Sequence, residues 1–72
     1  MNHDIPIHPD KTTYQAYAHN EQGALYIVSN GDVFDSISAA VKAARRECGV
    51  GWRVKIEDSF DGEVVKAFTI RQ

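Results

Sequence analysis

At 72 residues the chain makes one domain near the lower size that folds alone, since a domain of about 60 residues buries only roughly 60% of its unfolded surface. Its 43% hydrophobic content, with three Phe, three Tyr and one Trp, excludes a disordered tail, and its single Cys excludes a disulfide framework or an all-cysteine metal site. A net charge of −2 excludes a global basic field for a phosphate backbone, so nucleic-acid binding needs a local patch.

The first residues, MNHDIPIHPD, have neither a basic start nor an apolar core of the kind a secretory leader carries. No run approaches the length of about 20 apolar residues that spans a bilayer. A soluble, cytoplasmic protein with a reduced thiol is the expectation. Pro6 and Pro9 remove backbone donors and push Ile5 and His8 towards extended conformations, so residues 1–12 read as an extended arm and residues 13–72 as a single α+β domain.

The segment TTYQAYAH, ending at His19, mixes aromatic and β-branched residues, and ALYIVS over residues 24–29 is a denser β-forming run. NEQG between them is a turn, which makes the pair a hairpin. After SNGD the period becomes helical. Ser36, or Asp35 before it, can cap the free N–H groups, with Phe34 placed as a hydrophobic staple. At 100° per residue Ile37, Val41, Ala44 and Cys48 share one stripe bordered by Ala40, while Lys42 and Arg46 point the opposite way. This stripe is expected to lie on a sheet, and Gly49 to end the helix in the left-handed conformation.

VGWRVKIED alternates cleanly, with Val50, Trp52, Val54 and Ile56 on one side and Arg53, Lys55 and Glu57 on the other. SFDGE is a turn and VVKAFTIR a last strand. The predicted fold is β-β-α-β-β, a four-stranded, mainly antiparallel sheet with one helix packed on one face. Two registers are open for the last hairpin. A three-residue loop, Phe60 to Gly62, sets Val54 against Phe68 and Ile56 against Lys66, and puts Val64, Phe68 and Ile70 in the core. A two-residue Asp61-Gly62 turn sets Ile56 against Ala67 and leaves Phe68 and Ile70 on the open side. The first is expected, because it hides the larger residues.

Chemistry is sparse. Cys48 lies on the buried stripe at a helix C-terminus, where the dipole disfavours a thiolate, so it reads as core. His3, His8 and His19 with Asp4 and Asp10 match no zinc spacing. An amino-terminal Met1-Asn2-His3 run can wrap Cu(II) or Ni(II), a pattern common by chance. Glu57, Asp58, Asp61 and Glu63 read as a solvated edge, and GVGW lacks the lysine and spacing of a phosphate loop. No nucleophile and base stand together, so the expectation is a protein that is not an enzyme and takes no cofactor. What packing does not explain is basic. Lys42, Arg45 and Arg46 on the outer helix, and Arg53 with Lys55 on the outer sheet, form the candidate contact surface for an acidic partner, with Tyr17, Tyr26 or Trp52 as aromatic anchors where exposed.

The strand-strand-helix-strand-strand order over residues 13–71 resembles the small anti-CRISPR proteins of phages and mobile elements. It is a likeness of architecture and assigns no residue a role. FDSISAAVKAAR followed by WRVKIEDSFDGEVV is also similar in style to small bacterial domains of unknown function. The first resemblance implies an inhibitor that binds a host protein complex, a CRISPR effector or its nuclease, and blocks DNA access. A nucleic-acid-binding module is the alternative, and either is compatible with a monomer or a homodimer.

Overall fold

The chain runs strand, strand, helix, strand, strand, the order its periodicities imply. The computed structural model describes residues 12–72, so the arm expected over residues 1–12, with its histidines and the Met1-Asn2-His3 run, falls outside the described residues save for Thr12. Strands β1 (Tyr14–His19) and β2 (Leu25–Ile27) form the first hairpin. Its turn starts at Asn20, whose side-chain oxygen accepts the N–H groups of Gln22 and Ala24, both at 2.9 Å, the role a short amide serves best. Helix α1 (Ile37–Glu47) and strands β3 (Arg53–Asp58) and β4 (Val64–Thr69) complete the domain. All pairings are antiparallel, in the order β2-β1-β3-β4, and α1 lies across β1 and β3 on one face.

The core is thin and built from small residues. Ala16 and Ala18 of β1 and Val54 and Ile56 of β3 point towards the helix, which meets them with Ala40, Ala43 and Ala44. Alanine on both sides lets the helix sit close to the sheet. The helix starts at Ser36, whose Oγ accepts the Ala39 N–H at 3.0 Å. Phe34 stands two residues before this cap rather than one, and two main-chain bonds with Tyr14, at 2.9 and 2.7 Å, hold it in place of a staple. The buried stripe is rotated from the expected one: Ala43 is fully buried, while Ile37 and Val41 are only half-buried at its border. Glu47 lies on the Ala43 side of the helix and is bonded to the segment after β2.

Three local expectations change. The run ALYIVS is strand only to Ile27; Val28 is completely buried and begins a 3-10 turn, Val28–Gly31, in which Ser29 and Asn30 are left-handed at φ 52° and 56°. Helix α1 does not end on a left-handed Gly49. Cys48 is already extended at φ −102°, and the left-handed residue is Gly51 at φ 91°, in a turn closed by the Trp52 N–H on the Gly49 carbonyl. Gly49 is instead fitted under the indole: a Cβ there would stand 3.0 Å from Trp52 Nε1. Val50 consequently sits in the turn, 56% exposed, and does not join the inner row of β3.

The last hairpin keeps the expected register, Val54 opposite Phe68 and Ile56 opposite Lys66. Its loop, however, has four residues, 59–62, because the Gly62 N–H bonds the Asp58 carbonyl and the Asp58 N–H bonds the Glu63 carbonyl. A bulge at Val65 absorbs the extra residue, so Glu57 faces Val64. Ile70 is buried and Phe68 packs against the core as expected, whereas the bulge carries Val64 outwards, 46% exposed. Asp58 and Asp61 serve this loop by accepting the N–H groups of Phe60 and Glu63, so two of the acidic residues of this edge are turn formers.

Gly51 gives a first test. Its φ of 91° strains any side chain, while the closest atom to a new Cβ, Glu21 Oε2 at 2.6 Å, belongs to a movable side chain. Gly51→Ala is expected to cost about 1 kcal/mol from the backbone alone, read as a lower urea midpoint at unchanged slope.

Candidate functional site

One helix covers one face of the sheet, and among the described residues no element covers the other, called the open face below. Strand alternation fixes what that face carries. Opposite the inward Ala16 and Ala18, β1 presents Gln15, Tyr17 and His19; β2 presents Leu25 and Ile27; β3 presents Arg53, Lys55 and Glu57. The register sets these in cross-strand rows. Leu25, His19, Arg53 and Thr69 make one row, and Ile27, Tyr17, Lys55 and Ala67 the next. Tyr17 and His19 are half-buried and meet edge to face, their rings 6.0 Å apart at 81°. At the sheet centre an aromatic pair thus stands beside a cationic pair.

The flanks complete the surface. Leu25 is 59% exposed and Ile27 45%, an aliphatic margin beside Tyr17. On the other side a shallow groove of about 250 Å³ runs along β3 and β4, lined by Arg53, Lys55, Ala67 and Thr69 among others. Neither Arg53 nor Lys55 forms an ion pair among the described residues. The nearby carboxylates are turned to the ends of the face. Glu57 Oε1 lies 3.5 Å from the Cβ position of Gly62, and Glu21 lies against Gly51.

The five basic residues singled out from the sequence do not form one site. Arg53 and Lys55 share the open face, while Lys42 and Arg46 are exposed on the far side of the helix, with the sheet between the two sets. Arg45 also has a packing role that the sequence did not suggest: its guanidinium lies 5.1 Å over the Phe68 ring and covers that half-buried side chain. Of the three aromatic candidates, Tyr17 alone is on the open face. Tyr26 and Trp52 are on the helix side, edge to face at 5.7 Å.

Glu47 was missed. It is the last residue of the helix, where the dipole opposes a carboxylate, yet it accepts three hydrogen bonds: from the Ser29 N–H at 2.7 Å, the Ser29 hydroxyl at 2.5 Å and the Tyr26 hydroxyl at 2.8 Å. The two Ser29 bonds hold its carboxyl below the ordinary range, and the hydrogen bond that Tyr26 donates to Glu47 raises the Tyr26 phenol. The network ties β2 and the left-handed Ser29 to the helix, and so fixes the strand that presents Leu25 and Ile27. A signal was available, since Glu47 falls on the helical wheel between Ala40 and Ala43, and a carboxylate on a packing flank needs donors. Cys48 is buried and free; burial, with Glu47 adding to it, pushes its thiol above the ordinary value, the opposite of what a nucleophile needs.

Among the described residues no three His, Cys, Asp or Glu side chains group as metal ligands, and no helix is long and apolar enough to cross a membrane. No protein-family model, curated protein or solved structure matches the chain.

Proposed function

We propose that the protein is a small, non-enzymatic interaction module of the cytoplasm whose contact surface is the open face of its sheet, and that it acts as a phage or mobile-element inhibitor of a host defence complex of the CRISPR effector kind. One observation carries the reading. Tyr17, His19, Arg53 and Lys55 are contiguous at the centre of a sheet face that no element among the described residues covers, with exposed Leu25 and Ile27 at their margin. An antiparallel sheet commonly leaves one face in water with polar side chains on it, and this face departs from that pattern by carrying aromatic and exposed aliphatic side chains. Aromatic and arginine side chains beside aliphatic surface are also where binding energy concentrates.

The sheet edges point to the same face. The β2 edge has only three residues, and the β4 edge carries the Val65 bulge and Lys66, both of which discourage strand addition. The architectural likeness to small anti-CRISPR proteins supplies the setting, and a monomer is sufficient for it; light scattering reads the oligomeric state.

The test is capture from a host with active CRISPR interference, using tagged wild type and a Tyr17→Ala/Arg53→Glu variant. Wild type is expected to retain effector subunits and to lower interference, and the variant to do neither. Empty capture with unimpaired interference rejects the inhibitor reading, and equal capture by the variant rejects the open face as its surface.

A further inference from the structure

We infer that the open face holds a short segment of single-stranded nucleic acid, with bases on Tyr17 and His19 and phosphates on Arg53 and Lys55. This rests on the open face being the contact surface and names what lies on it. The geometry is the starting point. Tyr17 and His19 are two residues apart on one strand with ring centroids 6.0 Å apart at 81°, so a strand laid across them meets the face of one ring and the edge of the other. Their cross-strand partners are Lys55 and Arg53, one strand away at about 5 Å, so each ring has a cation beside it.

Charge complementarity selects the occupant. Overall charge is −2, yet this face has cations without a carboxylate partner among the described residues, because Glu57 and Glu21 are directed to the turns at Gly62 and Gly51. The groove along Arg53, Lys55, Ala67 and Thr69 gives a backbone a path next to the rings. A flat face suits a single strand, whose bases can splay onto aromatic side chains, whereas a duplex hides its bases and needs a helix or ribbon in a groove.

The experiment is fluorescence anisotropy with labelled oligothymidylate, oligouridylate and a short duplex, on the full chain. Both single strands are expected to bind more tightly than the duplex. With two phosphates engaged, affinity falls with salt at a log–log slope of about −1.4. Tyr17→Ala lowers single-strand affinity about 10-fold and Tyr17→Phe restores it, as stacking requires. Lys55→Gln flattens the salt slope by about 0.7. Circular dichroism confirms that each variant is folded, and Tyr17→Phe with Lys55→Gln suffices if Tyr17→Ala is not. No single-strand binding, tighter binding of the duplex, or affinity indifferent to salt and to these variants overturns the inference. If effector capture still depends on Tyr17 and Arg53 in that event, the open face stands as a protein-contact surface and only its nucleic-acid occupant is rejected; if capture is also indifferent, both readings fall.

Discussion

Ile56→Ala is expected to lower stability by about 2–5 kcal/mol, towards the upper end of that range. Ile56 is completely buried in the middle of β3 and is among the largest fully buried side chains, with Val28 and Val54. Its direct partner on β1 is Ala16, and the helix above offers Ala40, Ala43 and Ala44, none long enough to reach into the space it would leave. A site that cannot collapse keeps its cavity, and the cavity sets the cost. At roughly 0.05–0.15 kcal/mol per residue the whole domain has about 4–11 kcal/mol, so this one change removes a large share of it. Ile56→Val, which trims one methylene, is expected to cost about 0.5–1.5 kcal/mol. Urea unfolding followed by far-ultraviolet circular dichroism and Trp52 fluorescence reads both. A loss under about 1 kcal/mol for the alanine variant would contradict a core centred on Ile56. The consequence for function is direct, because the strand that buries Ile56 is the one that presents Arg53 and Lys55 on the other side.

Glu47→Ala is expected to cost about 1–3 kcal/mol and to loosen β2 selectively. It leaves the N–H and hydroxyl of Ser29 and the hydroxyl of Tyr26 without their acceptor, and frees a left-handed serine whose conformation the carboxylate holds. Part of the loss is offset, because the negative charge leaves a helix C-terminus. Hydrogen exchange is the sharper readout: faster exchange confined to residues 25–31, with β3 unchanged, is the expected pattern. Uniform loss of protection across the sheet would show that the network supports the whole fold and not one edge. The variant also weakens any partner contact that uses Leu25 and Ile27.

The same network makes stability depend on pH with a definite sign. The Glu47 carboxyl is held below its unfolded value, chiefly by the two Ser29 bonds. Between the folded and unfolded values the unfolded chain binds the extra proton, so stability rises with pH there. The contribution of Glu47 is fully present above the ordinary glutamate range and is lost as pH falls through the lowered folded value. Acid titration of the urea midpoint should show that loss in wild type and a smaller one in Glu47→Gln. Equal acid sensitivity in both proteins would assign the effect to other carboxylates.

Much of the fold is written locally. The switch from period two to a helical period after Asp32, the cap at Ser36, the turn at Asn20 and the alternation of Val54 and Ile56 with Arg53 and Lys55 all depend on neighbours within a few residues, and the structure places each where the sequence does. The register of the last hairpin was also legible, because only one choice buries Ile70 and packs Phe68.

Tertiary structure decided what distance in sequence conceals. Pairing of β1 with β3 sets His19 beside Arg53 and Tyr17 beside Lys55, across more than thirty intervening residues, and no periodicity encodes that register. The buried side of α1 takes in Ala43 and leaves Ile37 at its border, and on that side Glu47 meets a turn 18 positions earlier in the chain. The bulge at Val65 follows from a loop one residue longer than the tightest one that fits, and it alone sends Val64 to the surface. The sequence by itself therefore determined the number, kind and order of strands and helix, through short-range sterics, capping and alternation, but not every boundary. Only the packed molecule decided which of its basic residues stand beside aromatic rings, because that depends on which strands become neighbours, and strand order is settled by burial of the whole core and not by any segment of it.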